Sequence, residues 1–184
     1  HAVTVATEPL AALMQQWNPN VKVLPNAIFE LPEVQSKDAR QDRVRIFFGA
    51  LNRDRDWKSI QGSLFATLEQ LAERVEMVVV HDREFFAALP ATLESEFHET
   101  LQPDDYLRLL ASCDIALLPL EDTPFNRLKS DLKFIECCAS GVVPVCSPVV
   151  YGDNPLHREI GVLVSSPDDW AQALLQLCAD RDRL

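Results

Sequence analysis

The chain has 184 residues, enough for one domain or one domain with an appendage, and its 47% hydrophobic content can fill a core. A net charge of −11 excludes a general nucleic-acid binder, because phosphate backbones require surplus Lys and Arg; a local cationic pocket for one small anion stays compatible with it. No run nears the ~20 apolar residues of a membrane span.

The opening HAVTVATEPL has neither the basic nor the long apolar region of a secretory signal, and it lacks an initiator Met, so a piece of a longer chain is expected. VTVAT (3–7) reads as a strand, and EPLAALMQQW (8–17) as a helix capped by Thr7 with Glu8 and Pro9 in its first turn. VKVLP (21–25) is a second short strand. Residues 29–43 lose periodicity and gather charge and proline, which indicates a linker.

Beyond the linker the pattern becomes regular. VRIFFGA (44–50) is a buried strand, and 56–74 carries Ile60, Leu64, Leu68 and Leu71 at helical spacing. VEMVVVH (75–81) is a nearly continuous apolar strand, as expected where both faces are covered. A short helix ends around Pro90, 96–101 is a weak strand, and 103–113 is a helix opened by Pro and two acids. Strand 114–120, helix 130–140, strands 142–146 and 161–164, and a terminal helix over 167–179 follow. The alternation predicts an α/β fold with a doubly wound, mostly parallel sheet. Either a five-strand flavodoxin-like or a six-strand Rossmann-like order fits, with the ligand crevice at the carboxyl ends of the strands in both cases.

The stretch DIALLPLEDTPFNRLKSDLKFIECCASGVVPVCS (114–147) carries the chemistry. Ser130 is the expected N-cap of the helix, with Asp131 in the first turn, and the free N–H groups there hold partial positive charge. Lys129 and Lys133 flank that terminus and Arg127 is near, a placement that opposes the macrodipole and makes sense if an anion sits among them. Solvated surface cations are the alternative. Glu136 either accepts hydrogen bonds from a vicinal diol such as a ribose or forms an i,i+3 ion pair with Lys133.

In FFGALNRDRDWKSI (47–60), Gly49 closes a strand and permits close approach of a ligand, and Asn52, Arg53, Arg55 and Lys58 follow in a polar loop. His81 and Asp82 finish a strand on the same edge and are read either as ligand contacts, His81 foremost, or as loop residues, whereas His98 reads as structural. Asn126 and Tyr151 are further candidates for sugar or base contact. No P-loop, GxSxG or HExxH is present. Cys113, Cys137, Cys138, Cys146 and Cys178 are odd in number, sit mostly in apolar segments and have no zinc-like spacing. Reduced core thiols of a cytoplasmic protein, and no metal site, are expected.

The same stretch resembles the donor-binding half of GT-B-fold glycosyltransferases, the retaining group 1 (family 4) type. In those enzymes a strand ending in Pro leads to a loop, a helix entered by E-x7-E, and then A-x-G-x-P-V. Glu136, Ala139, Gly141 and Pro144 match the second half, with one extra residue between Gly141 and Pro144. The position eight before Glu136 is Leu128, where the pattern has its first glutamate. The resemblance implies a Rossmann-like nucleotide-sugar domain over 44–184, with 1–28 a remnant of the acceptor domain and the passage from it. It further implies Glu136 on ribose, and Ser130, Lys129, Lys133 and Arg53 or Lys58 at the diphosphate. The substrate would be a nucleotide diphosphate sugar, with no metal or other cofactor. The partners would be an unknown acceptor and the missing N-terminal domain, with no nucleic acid. A fragment of this kind would transfer nothing alone. A degenerate binding module and an unrelated receiver-like domain are the competing expectations; the strand ends IFFGALN and VVVHD supply a receiver's acidic cluster poorly.

Overall fold

Parallel strands buried on both faces need helices above and below, and the apolar runs of this chain are arranged to receive them. A computed structural model describes residues 1–32, 43–50, 54–180 and 183–184. Most of the expected linker at 29–43, and the candidates Asn52 and Arg53, therefore lie outside the described residues. The chain opens with β1 (Val3–Val5), α1 (Glu8–Met14) and β2 (Val21–Val23). Next come β3 (Val44–Gly49), α2 (Asp54–Lys58), α3 (Gln61–Gln70), β4 (Val75–Val80), α4 (Arg83–Ala88), β5 (Glu94–His98) and α5 (Pro103–Ala111). β6 (Ile115–Leu118), a 3-10 turn at Asn126–Leu128, α6 (Leu132–Ala139) and β7 (Val143–Cys146) follow. A one-turn α7 (Pro148–Tyr151), α8 (Pro155–Ile160), β8 (Val162–Leu163) and α9 (Pro167–Ala179) complete the set.

Six strands form one parallel sheet in the order β5-β4-β3-β6-β7-β8. Counted from β3 this is the Rossmann order 3-2-1-4-5-6, so the five-strand alternative is set aside. The order reverses at β3, which pairs Gly49 with Val80 of β4 on one side and Ile46 with Ile115 of β6 on the other. A crevice therefore opens beyond the carboxyl ends of β3 and β6.

Period-two alternation along β3 divides the core between the two faces. Ile46 and Phe48 pack with Leu64, Leu68, Trp170 and Leu174, whereas Phe47 packs with Leu110, Phe134, Cys137 and Tyr151. The helix expected over 56–74 is broken into α2 and α3. The break accompanies burial of Trp57 to 2% exposure against Phe65 and Phe85, a tertiary demand that periodicity does not report. Burial raises the thiols of Cys113 to about 12 and of half-buried Cys138 to about 11, and pushes Cys137 and Cys146 upward too. Such thiols are packing groups rather than nucleophiles.

Local signals hold at several ends. Thr7 caps α1, its Oγ1 accepting from Leu10 N–H at 3.3 Å. α6 stops where Gly141 adopts φ 67°, with Val142 N–H on Cys137 O at 2.9 Å and Gly141 N–H on Cys138 O at 3.1 Å, the two bonds of a Schellman end. α9 begins with a capping box in which Ser166 Oγ accepts from Asp169 N–H at 3.2 Å and Asp169 Oδ2 accepts from Ser166 N–H at 2.9 Å.

The bonds from Ser166, and then from the N–H of Ser165, hold the Asp169 carboxyl below its usual range. A lowered folded-state value means the box stabilises above the unfolded carboxylate range near ~4 and loses that contribution as pH falls through the folded value. Ser166→Ala should lower Tm at pH 7 by about 2–4 °C. The Tm gap between wild type and Asp169→Asn, followed by thermal melts from pH 7 to pH 3, should close as the carboxyl protonates.

Candidate functional site

In a parallel sheet, a helix that follows a strand begins at that strand's carboxyl edge. The amino ends of α4, α5 and α6 accordingly gather where β4, β5 and β6 finish. A cavity of about 230 Å³ opens on this edge. Gly49 and Ala50 from the end of β3, and Val80 and His81 from β4, form one side. Thr100 and Leu101, which precede α5, with Tyr106 on α5 and Lys133 on α6, form the other. Three of the expected site residues, Gly49, His81 and Lys133, thus come together around one space.

Gly49 has a packing reason as well as a ligand-facing one. A Cβ there would lie 2.6 Å from Cε1 of Phe47 and 3.1 Å from Cε2 of Tyr106, so any side chain would displace the wall. His81 adopts φ 76°, a left-handed conformation uncommon for a non-glycine residue. Its N–H bonds His98 O at 2.9 Å, and its Nδ1 lies 2.8 Å from Thr100 Oγ1. These bonds hold the ring at the cavity wall. Asp82 is structural: Oδ1 caps α4 through Phe85 N–H at 2.9 Å, and Oδ2 accepts from Trp57 Nε1 at 3.2 Å. His98 faces Glu96 of its own strand, with Nε2 3.4 Å from Oε1.

The loop between β6 and α6 is stapled down from two sides. Asp56 of α2, 6% exposed, accepts at Oδ1 from Glu121 N–H and from Asn126 Nδ2, each at 2.9 Å. Asn126 also donates to Glu121 O at 2.8 Å. From the other side Thr7 Oγ1 donates to Leu128 O at 2.9 Å, and Asn26 Nδ2 donates to Ser130 Oγ at 2.6 Å. The β1-α1-β2 unit therefore buttresses the entry to α6.

Several expected roles are corrected by this packing. Asn126 is buried with its Nδ2 donors engaged by the staple, so they are not offered to a sugar. Tyr151 is 1% exposed and packs on Phe134 in the core, so its ring does not line a sugar pocket. Ser130 is not the N-cap of α6; Asp131 holds that place without a side-chain cap bond, because Ser130 Oγ is turned to Asn26. The cations are also less crowded than their spacing indicates. Arg127 pairs with Asp122 at 2.6 Å, and Lys129 lies 5.2 Å from the centroid of Phe125. Lys58 pairs with Glu84 on α4 at 3.2 Å.

Lys133 holds the densest set of contacts at the site. Its Nζ bonds Tyr106 Oη at 2.7 Å and Glu136 Oε2 at 3.1 Å, and it sits 4.0 Å from the centroid of the Tyr106 ring. The Lys133–Glu136 ion pair is mostly buried, with side-chain exposures of 31% and 16%. Glu136 itself does not line the cavity wall; it stands one helical turn behind Lys133.

Several site residues escaped the sequence reading, Thr100, Tyr106, Asp56 and His157 among them. Tyr106 lies in the first turn of α5, and the position was legible, since helix amino ends in a parallel sheet face the ligand edge. Asp56 and His157 had no such signal. His157 is buried on α8, stacked at 3.9 Å on Phe134, with Nδ1 donating to Tyr151 O at 2.9 Å and Nε2 3.4 Å from Asp131 Oδ2. Among the described residues no group of three or more His, Cys, Asp or Glu side chains is placed to hold a metal ion. No described helix is long and apolar enough to cross a membrane.

Residues 42–180 match the family described as Glycosyl transferases group 1. No curated protein sequence matches the chain. Among solved structures, an S. aureus TarM mutant in complex with fondaparinux, alpha-GlcNAc-glycerol and UDP superposes with a TM-score of 0.71 at 12% identity, over 99% of this chain and 38% of that one. An E. coli structure described as trehalose-6-phosphate bound with UDP-2-fluoro glucose gives 0.59 at 16% identity, over 85% of this chain and 44% of that one. A UDP-forming alpha,alpha-trehalose-phosphate synthase from Burkholderia xenovorans gives 0.51 at 15% identity, over 74% and 36%. At such identities the likeness establishes the fold, which is α/β and Rossmann-like as in GT-B glycosyltransferases. The chain spans less than half the length of each of these neighbours.

The staple can be tested directly. Asn126→Ala strips a donor from a buried carboxylate and should cost about 1–3 kcal/mol. Amide hydrogen exchange should accelerate across 120–131 while α9 keeps its protection. Unchanged exchange in that loop would mean that the Asp56 contact does not hold it.

Proposed function

The chain belongs to the group 1 glycosyltransferases, and from that premise we propose that it is the donor-binding half of a retaining, hexosyltransferase-type enzyme. Its substrate is a nucleotide diphosphate sugar, and the acceptor is carried by an N-terminal domain outside this sequence. The observation that carries the reading is the cavity at the switch-point edge, where Gly49, His81 and Lys133 meet beside Glu136.

A nucleoside enters the cavity between the ends of β3 and β4 and the start of α5. Glu136 accepts from the ribose hydroxyls, and the diphosphate lies toward the amino end of α6 and Lys129. Arg53 or Lys58 is the further cation this reading assigns to it. As the bond between the sugar C1 and the diphosphate oxygen breaks, negative charge accumulates on the leaving group. Fixed cations and a helix amino end stabilise that charge without a metal. The isolated fragment binds donor and transfers nothing, because the acceptor site is absent from it. Reduced thiols buried in the core favour a cytoplasmic setting.

One observation favours a second reading, a domain that binds nucleotide but no longer supports turnover. Leu128 stands eight residues before Glu136, and no carboxylate occupies that place to meet the transferred sugar. Turnover of labelled sugar nucleotides by a longer chain that includes the acceptor domain would separate the two.

Calorimetric titration with UDP, GDP, dTDP and ADP tests the donor site itself. One diphosphate should bind in the micromolar to millimolar range. Glu136→Ala should weaken it by about tenfold, the scale of a lost charged hydrogen bond. Lys129→Ala should weaken it less and flatten its dependence on salt. Equal affinities in wild type and both variants would remove the reading.

A further inference from the structure

Lys133 is the cation nearest the cavity, and its ammonium is already engaged. It offers three donors; one goes to Tyr106 Oη at 2.7 Å and one to Glu136 Oε2 at 3.1 Å. The charge is further held over the Tyr106 ring, 4.0 Å from its centroid. Tyr106 is itself fixed, edge-on to Phe47 at 5.4 Å between ring centroids and closing over Gly49. A diphosphate that drew Lys133 to itself would have to break this arrangement. It would also leave a carboxylate of 16% exposure without its counter-charge, which is costly.

Glu136 has a complementary asymmetry. Oε2 is taken by Lys133, while Oε1 makes no hydrogen bond among the described residues. A carboxylate whose side chain is mostly buried, with one oxygen lacking a bond among the described residues, invites a hydroxyl donor. With Oε2 anchored, the carboxylate has one orientation in which to receive it.

We propose that Lys133 and Tyr106 are positioning residues for Glu136: the tyrosine holds the lysine, the lysine holds Oε2, and Oε1 is presented to a ribose hydroxyl. This rests on the donor-site reading above and moves Lys133 to the nucleoside, away from the diphosphate where the family resemblance placed it. The Tyr106–Lys133–Glu136 relay thus joins α5 to α6 across the mouth of the cavity and makes ribose recognition depend on a residue that touches no ligand hydroxyl.

A positioning role and a phosphate-binding role predict different ligand dependence. Titrations of the chain followed by NMR, which reads millimolar affinities, would compare UDP with uridine, GDP with guanosine and ADP with adenosine, and use the pair that binds. Lys133→Met should weaken nucleoside and diphosphate by the same factor, about tenfold. Tyr106→Phe, which keeps the ring packing, should weaken both equally by about threefold. Lys129→Ala should weaken the diphosphate alone and serves as the reference for a phosphate contact. Loss confined to the diphosphate in Lys133→Met, or full nucleoside affinity in Tyr106→Phe, would overturn the positioning role and leave the donor site standing. If no pair binds the wild-type chain, the donor site and the relay fall together. Tyr106→Phe keeps the test decisive if Lys133→Met does not fold.

Discussion

One buried carboxylate holds the ligand edge of this domain together. Asp56, in the helix after β3, accepts from the backbone of Glu121 and the side chain of Asn126, both in the loop after β6. That helix and that loop follow the two strands at which the order reverses, beyond the reach of the sheet's own hydrogen bonds. Without a tie they would be independent excursions from neighbouring strand ends. The tie sets where α6 begins, and through α6 it sets the positions of Lys133 and Glu136. Because Asp56 is nearly excluded from solvent, each donor it holds replaces a water it has lost, so the contact is costly to open.

A second constraint acts from the opposite side. The small β1-α1-β2 unit presses Thr7 and Asn26 onto Leu128 and Ser130, so the segment entering α6 is held between two bodies of structure. This has an electrostatic consequence. The cations near the helix start, which in sequence read as a cluster waiting for an anion, are in space distributed among separate partners. Arg127 turns to Asp122, Lys129 to the ring of Phe125, and Lys133 to Tyr106 and Glu136. The local charge opposing the macrodipole is thereby dispersed, and the ligand-facing work divides among fewer groups.

Membership of a glycosyltransferase family gives the fold a purpose, but the shared backbone is compatible with many sugars and acceptors. What distinguishes this chain is in its side chains. Leu128 stands eight residues before Glu136, and a lysine bonded to Tyr106 pairs with that glutamate on α6. Both features lie within one stretch of loop and helix, held by the ties described above. The proposed donor chemistry and the backbone restraint therefore meet in the same few residues.

Much of the architecture was legible in the residues alone. The apolar runs of β3, β4 and β6, the Pro and acidic starts of α5 and α9, and the glycine end of α6 are local signals, and each acts over a few neighbouring residues. The place of the crevice followed from alternation of strand and helix, since parallel strands and right-handed crossovers leave one ligand edge. Which side chains reach that edge was not legible. Tyr151 and Asn126 sit at edge positions in sequence yet are drawn inward by core packing and by Asp56; the single long helix after β3 is cut so that Trp57 can be buried. The partner of Ser130 lies 104 residues away in the chain, and that of Asn126 lies 70 residues away. Sequence pattern thus determined a parallel sheet, its carboxyl-end crevice and the helix that carries Glu136, while the strand order came from the tertiary structure. Contacts between residues distant in the chain decided which polar groups are consumed by the fold and which are left for a ligand.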